Sequence, residues 1–317
     1  MVITPHGAGS EAWPALPLAA WQDTYATLHR WTQVVGKIRL ALSPPVNHWW
    51  HTALYVTARG LTTSPIPHGD RTFEIEFDFV DHQLRVPTSD GASWALPLGP
   101  RSVADFYQEV MATLAALDLP VRIWPVPAEM PGAARLDQDT EHAAYDPEYA
   151  HRHWRVLVQT DRVLKIFRGR FIGKVSPVHF FWGGFDMAVT RFSGRRAPVH
   201  PSTPGVADVI THEGYSHEVS SAGFWPGGEG LPEPIYYAYA YPEPAGFGDA
   251  PVPAEASYNP TLGEFVLPYA AVRQAPDPDA LLLDFLQATC EAAADRGGWD
   301  RAALERTAPG TAPPAPQ

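Results

Sequence analysis

Five residues able to bind a metal or move a proton, His179, Asp186, His200, His212 and His217, fall within 39 residues of a 317-residue chain, accompanied by Glu213 and Glu218. Imidazole with carboxylate is the open ligand set of zinc and non-haem iron, and the same groups serve as general acid and base. On these grounds Asp186, His217 and Glu218 are the candidate catalytic residues, and His179 and His200 the candidate ligands of a divalent metal. Trp182, Arg191, Trp225, Tyr237 and Tyr239 are candidate ligand contacts. The spacing fits no metalloenzyme signature: His212-Glu213 is followed by His217 at the fifth position, one too far to share a helical face with His212. With 13 His in the chain, surface or hydrogen-bonded structural histidines are the competing reading. No G-x-S-x-G nucleophile elbow occurs, Ser220-Ser221 beside His217 has no distinguishing spacing, and neither Gly183-Gly184 nor Gly227-Gly228 forms a phosphate-cradling loop.

The element that must position these groups is the strand-like stretch 176–201, SPVHFFWGGFDMAVTRFSGRRAPVHP. It has an earlier echo: residues 21–44 lie on 154–177 at a constant offset of 133, and after one insertion at Pro45 the match runs on at 132. Trp21/Trp154, Gly36/Gly169, Ser43/Ser176, Trp50/Trp182 and Arg59/Arg191 are among eight identities in 38 pairs. Each copy continues to a strand, an L-P pair and a closing helix with F-x-Q, which predicts an internal duplication. By subtraction, a site belonging to one copy shows as polar residues without equivalents in the other. Leu54 opposite Asp186 is one such difference. The stretch 201–233, read as an insertion of the second copy, is another, because loops on rigid scaffolds commonly carry function.

The expected fold is α+β: two units of helix, small antiparallel sheet and helix, packed with pseudo-two-fold symmetry. Residues 1–19 are expected to be a flexible start, 20–140 the first repeat, 141–304 the second, and 305–317 a disordered tail. Residues 21–42 and 146–171 read as long helices, the second capped by Asp146 with Pro147 at its first position. Residues 102–117 and 279–294 read as the closing helices, while 48–59, 121–126, 235–241 and the hairpin 257–267 read as strands. Residues 73–79 alternate as the clearest strand, with Glu74, Glu76 and Asp78 forming a solvated acidic row that Arg59 partners from a neighbouring strand.

The net charge of −12 argues against nucleic-acid binding, which rests on a basic surface. Residues 146–200 depart from that average, with ten Lys/Arg against four Asp/Glu, and could complement acidic surface elsewhere or guide an anionic ligand. One cysteine, Cys290, rules out an internal disulfide and a thiolate zinc cage and suits a cytoplasmic protein with a buried thiol. No basic-then-apolar leader opens the chain, and no run of 18 apolar residues occurs. Eleven Trp, twelve Tyr and fourteen Phe exceed what packing usually recruits, so part of them is expected to line a cleft.

SPPVNHWWHTALYVTARGLTTSPIP, SPVHFFWGGFDMAVTRFSG, YSHEVSSAGFWPGG and AYAYPEPAGF together resemble a bacterial family of about this length catalogued only as a domain of unknown function. The resemblance runs from Trp13 to Leu304 and implies a soluble bacterial protein; it transfers no catalytic residue. Three function classes stay open: an enzyme, metal-assisted or not, with a His/carboxylate site in the second repeat; a non-catalytic binder of an aromatic or anionic metabolite; and a structural or partner-binding protein.

Overall fold

The computed structural model describes residues 11–203, 205–228 and 230–306. Their elements run, in chain order, α1 (Gln22–Leu42), β1 (Tyr55–Val56), β2 (Gly60–Thr62), β3 (Ile66–His68), β4 (Arg71–Phe73), β5 (Glu76–Asp78), β6 (Gln83–Pro87), β7 (Ser93–Pro97), α2 (Val103–Ala116) and α3 (Pro147–Gly169). There follow β8 (His179–Phe181), β9 (Asp186–Arg196), α4 (Asp208–Gly214), β10 (His217–Trp225), β11 (Ile235–Tyr241), β12 (Ser257–Asn259), β13 (Glu264–Pro268), α5 (Tyr269–Gln274), α6 (Pro278–Arg296) and α7 (Arg301–Leu304). The class is α+β, with every strand pair antiparallel. No described helix is long and apolar enough to cross a membrane.

The helices begin where the sequence supplies caps. Asp146 accepts from the backbone N–H groups of Glu148 and Tyr149 ahead of Pro147, Asp277 accepts from Ala280 ahead of Pro278, and Ser102 accepts from Asp105. α1 is the central helix: Leu28, Trp31, Val34, Val35 and Ile38 are buried, and so are the polar Thr27, Thr32 and Gln33 on its other faces. Trp31 stacks on Phe106 of α2 at 4.6 Å and on Tyr145 at 5.7 Å, tying the first closing helix to the segment that enters α3.

Two sheets result, in the orders β1-β2-β5-β6-β7 and β12-β13-β11-β10-β9-β8, with β3-β4 a separate ribbon. Their edges meet where Leu54 and Phe180 exchange both backbone hydrogen bonds at 2.8 Å. In the larger sheet, period-two alternation sorts the residues cleanly. Met187, Val189 and Arg191 of β9, Phe224 of β10, Tyr236 and Ala238 of β11 and Leu267 of β13 share one face, packed under α3 and α6. The other face carries Asp186, Ala188 and Thr190, then Gly223 and Ser221, then Tyr237, Tyr239 and Tyr241. An interior-like face of this polarity, with small residues at its centre, is the surface on which the rest of the chain builds a cleft.

Several expectations need correction. Residues 48–59 are not one strand: a tight turn at 47–49 holds His48 and Trp49 at positive φ, and pairing begins only at Leu54. Residues 73–79 break between β4 and β5, and Asp78 is wholly buried, held by Arg59 at 2.7 Å and Arg85 at 3.0 Å, so the acidic row is not a solvated face. Glu74 and Glu76 are half-buried and accept from Thr62 and Thr57. Residues 121–126 form no strand. Within 201–233 the stretch 217–225 is β10, at the heart of the larger sheet. Trp13, Leu16 and Leu18, in the stretch expected to be flexible, are buried in the core. Residues 307–317 and 1–10 lie outside the described residues.

Candidate functional site

The polar face of the larger sheet is closed over by three segments from outside it. The first is the start of α1. Tyr25 packs edge-on against Phe185 at 5.0 Å, and one turn later the buried His29 donates from Nε2 to the Gly183 carbonyl at 2.7 Å. Gln33, a further turn on, grips the backbone of Ala128 from both sides, donating to its carbonyl at 2.9 Å and accepting from its N–H at 2.7 Å. That clamp sets the second segment, in which Glu129 sits at φ +58. The third is the end of α4, where Tyr215 hydrogen-bonds Tyr239 at 2.8 Å.

Gly183-Gly184 is what lets Glu129 in. A Cβ on Gly183 would lie 2.1 Å from Glu129 Oε1; one on Gly184 would lie 2.9 Å from Asp186 Oδ1 and 3.5 Å from Glu129 Oε2. Two carboxyl groups from different halves of the chain therefore converge on the space that the missing side chain of Gly184 leaves. Tyr237 donates a short hydrogen bond to Asp186 Oδ2, and Trp225 donates to the Gly184 carbonyl at 3.2 Å. Gly223 plays a matching part beneath Tyr237, since a Cβ there would meet the Tyr237 hydroxyl at 2.6 Å. Thr190 and Ser221 share a hydrogen bond at 2.8 Å farther along the same face.

Electrostatics follow from this crowding. Burial pushes the Asp186 carboxyl up to about 6, against the partial relief of the Tyr237 hydrogen bond. Burial, then the neighbouring Asp186, raises both Glu129 and Glu264 to about 7. Tyr25 is raised to about 12, mainly by burial. Tyr237, Tyr239 and Tyr215 are also raised by burial, so all four hydroxyls are protonated donors at neutral pH. Asp186, Glu264, Tyr215, Tyr237 and Tyr239 nonetheless keep intermediate solvent exposure, and Glu129 is exposed. These are groups that solvent reaches, yet that protein crowds enough to disfavour their charge. No cation pairs with any of the three acids among the described residues.

Of the residues singled out from sequence, Asp186, Trp225, Tyr237 and Tyr239 come together here. His179 does not join them. It sits beside Ala188 on the edge strand, 1% exposed, among Trp50, Tyr55 and Phe181, with neither ring nitrogen hydrogen-bonded and its pKa lowered to about 3 by burial. His217 is eight residues along β10 from Trp225, roughly 25 Å at ~3.3 Å per residue, and its ring lies against His48 at 5.9 Å. Glu218 forms an ion pair with Arg195 at 2.6 Å. Arg191 is on the opposite face, fully buried over Phe167 at 3.4 Å and donating to Cys290 at 3.3 Å, so it cannot touch a ligand in the cleft. Trp182 is a packing residue: its ring covers Gly36 and its indole N–H donates to the Thr52 carbonyl at 2.8 Å. His200 stacks on Tyr215 at 4.3 Å, behind the cleft wall. Among the described residues no three His, Cys, Asp or Glu side chains converge as a metal site.

Tyr25, Glu129, Tyr215 and Glu264 are the site residues that sequence reasoning missed. Tyr25 looked like one more apolar position of an amphipathic helix, and Glu129 lay in a Pro-rich connector with no periodicity. The available signal was the unexplained Gly183-Gly184 pair next to Asp186, which marks a backbone that something must approach.

The fold and site define a two-sheet α+β protein with a part-exposed cluster of three acids and four tyrosines on the polar face of the larger sheet. The chain belongs to the DUF5996 family, a family of unknown function, whose model matches residues 13–306. No curated protein and no solved structure matches it.

Proposed function

We propose that the protein is an enzyme whose cleft performs general acid–base chemistry on a small neutral or cationic substrate, with Asp186 and Glu129 as the proton-handling pair. The observation that carries this reading is the convergence of those two carboxyl groups on Gly184, Asp186 raised by burial and Glu129, although part of its surface stays exposed, raised by the crowding of its carboxyl and then by the Asp186 charge. Two carboxyls in one partly dry space do not both ionise easily, so one is protonated while the other is charged, which is the division of labour an acid–base pair needs. Tyr237 orients Asp186 through its hydrogen bond, and Tyr25 together with whichever of Tyr215 and Tyr239 does not donate to the other supplies donors to substrate oxygen or nitrogen. Glu264 adds a third acid without a cationic partner, so the cleft repels anions and favours a neutral or positively charged ligand. This replaces a His/carboxylate pair with a carboxylate pair, and it sets aside an anionic metabolite as the occupant.

The common origin of the two halves belongs to the same reading. We infer that each is one helix–sheet–helix unit, supported by the edge-to-edge meeting of β1 and β8 and by the placement of the cleft where the halves join. The test of function is a panel of chromogenic glycosides, esters and amides. At least one class is expected to be turned over with a bell-shaped pH profile whose limbs fall near 6 and 7. Asp186→Asn and Glu129→Gln should each lower that rate by about 10²- to 10⁴-fold. A turnover indifferent to both substitutions would sink the proposal.

A further inference from the structure

The same sheet face ends, about 20 Å from Asp186 at ~3.3 Å per residue, in a cluster of the opposite sign. Lys174 donates from Nζ to His48 Nε2 at 2.6 Å, and His48 Nδ1–H in turn donates to the Gly214 carbonyl at 3.0 Å. That chain fixes His48 as the neutral Nδ1–H tautomer and leaves Lys174 with its remaining N–H groups uncommitted. The ammonium lies 4.8 Å from the Phe192 ring centroid and 5.7 Å from that of Trp50. His217 faces His48 at 5.9 Å, and Arg196 pairs with His217 across β9 and β10.

Three features set this cluster apart from an ordinary basic surface. Among the described residues, neither Lys174 nor Arg196 has a carboxylate partner, in a chain of net charge −12 where most Arg side chains do find one. The cations also act on the histidines between them: after the larger effect of burial, Lys174 and Arg196 lower His217, and Lys174 lowers His48, so both rings favour the neutral form. Finally, His48 and Trp49 are consecutive non-glycine residues at φ +58 and +62, and the surrounding structure holds them there against their preference. Two cations without counter-ions, one of them held by a histidine on a strained turn, are arranged for an anion that arrives from outside.

We propose that Lys174, His217, Arg196 and His48 form a binding site for a small oxyanion, such as the phosphate group of a metabolite, distinct from the acidic cleft. Lys174 and Arg196 supply charge, His217 its free ring nitrogen, and His48 holds Lys174 in place. The site draws on both halves of the chain, so occupancy stabilises their junction.

The test is calorimetric titration of the full chain with inorganic phosphate, alongside the ring C2–H resonances of His48 and His217 followed by NMR. Saturable binding is expected, with both histidine resonances moving and the His217 pKa rising as the anion binds. Lys174→Met should weaken binding at least tenfold and Arg196→Gln at least threefold, while Lys165→Met, a change at an exposed ion pair with Asp161, should leave it unchanged. Arg196 is exposed, so its variant retains the fold even if Lys174→Met does not. Absence of saturation, still histidine resonances, or equal affinity in wild type and Arg196→Gln would overturn the proposal.

Discussion

Replacing Asp186 by Asn removes one ionisable group and little else, because the amide oxygen still accepts from Tyr237. In the wild type the folded chain holds this carboxyl at about 6, against 3.8 for the free side chain. A carboxyl raised on folding keeps its proton longer in the native state. Its contribution is therefore fully present below pH 4 and is lost as pH rises through about 6. That difference corresponds to about 3 kcal/mol for a fully shielded group, and solvent entering the cleft reduces the expectation to roughly 1–3 kcal/mol. Asp186→Asn should thus match the wild type in urea unfolding at pH 4 and exceed it by roughly 1–3 kcal/mol at pH 8. Comparing variant with wild type at each pH cancels every titrating group not coupled to Asp186; Glu129 and Glu264, which its charge raises, are relieved in the variant and act in the same direction at pH 8. A variant that is equally stable or less stable at pH 8 would refute the claim that the folded protein disfavours the Asp186 charge.

Other outcomes follow from the same geometry. Gly184→Ala places a methyl 2.9 Å from Asp186 Oδ1; because the flexible carboxyls can swing away, the melting temperature should hold while substrate turnover falls, and retained turnover would show that the two carboxyls need not meet there. Gly36→Ala meets the Trp182 ring at 2.2 Å and should cost about 1–3 kcal/mol in chemical denaturation, as overpacking does. Asp146→Ala removes the cap of α3 and should cost ~1 kcal/mol. His153, stacked on Phe185 at 5.0 Å without a hydrogen bond and held at about 3 by burial, stays neutral in the folded state until pH approaches 3. The unfolded chain takes up that proton below pH 6.5, so stability declines from there downward, and His153→Phe should flatten the decline; an unchanged acid slope would contradict it.

The sequence carried the parts of the fold that local physics decides. Asp146-Pro147 announced its helix because capping is a matter of neighbouring residues, and residues 235–241 were legible as a strand because strand alternation is strict. Arg59 did find Asp78 as anticipated, but alternation alone could not tell a solvated row from the buried carboxylate that Asp78 is. Asp186 stood out through Leu54, its apolar counterpart. What could not be read was long-range. Glu129 reaches Asp186 only because Gln33 grips Ala128, 95 residues away in sequence, and no periodicity encodes such a clamp. His217 and Asp186 were grouped as one candidate catalytic set, yet they stand at opposite ends of adjacent strands. Arg191 looked like a ligand contact until parity along β9 placed it on the helix-covered face.

The central claim, that Asp186 and Glu129 share one proton-handling space, is tested most directly by carbon-detected NMR titration of the side-chain carboxyls. The expected result is midpoints near 6 for Asp186 and near 7 for Glu129 and Glu264, with both Glu midpoints falling in Asp186→Asn as the neighbouring charge is removed. A Glu129 that titrates at its ordinary 4.5 in wild type and variant alike would contradict the account.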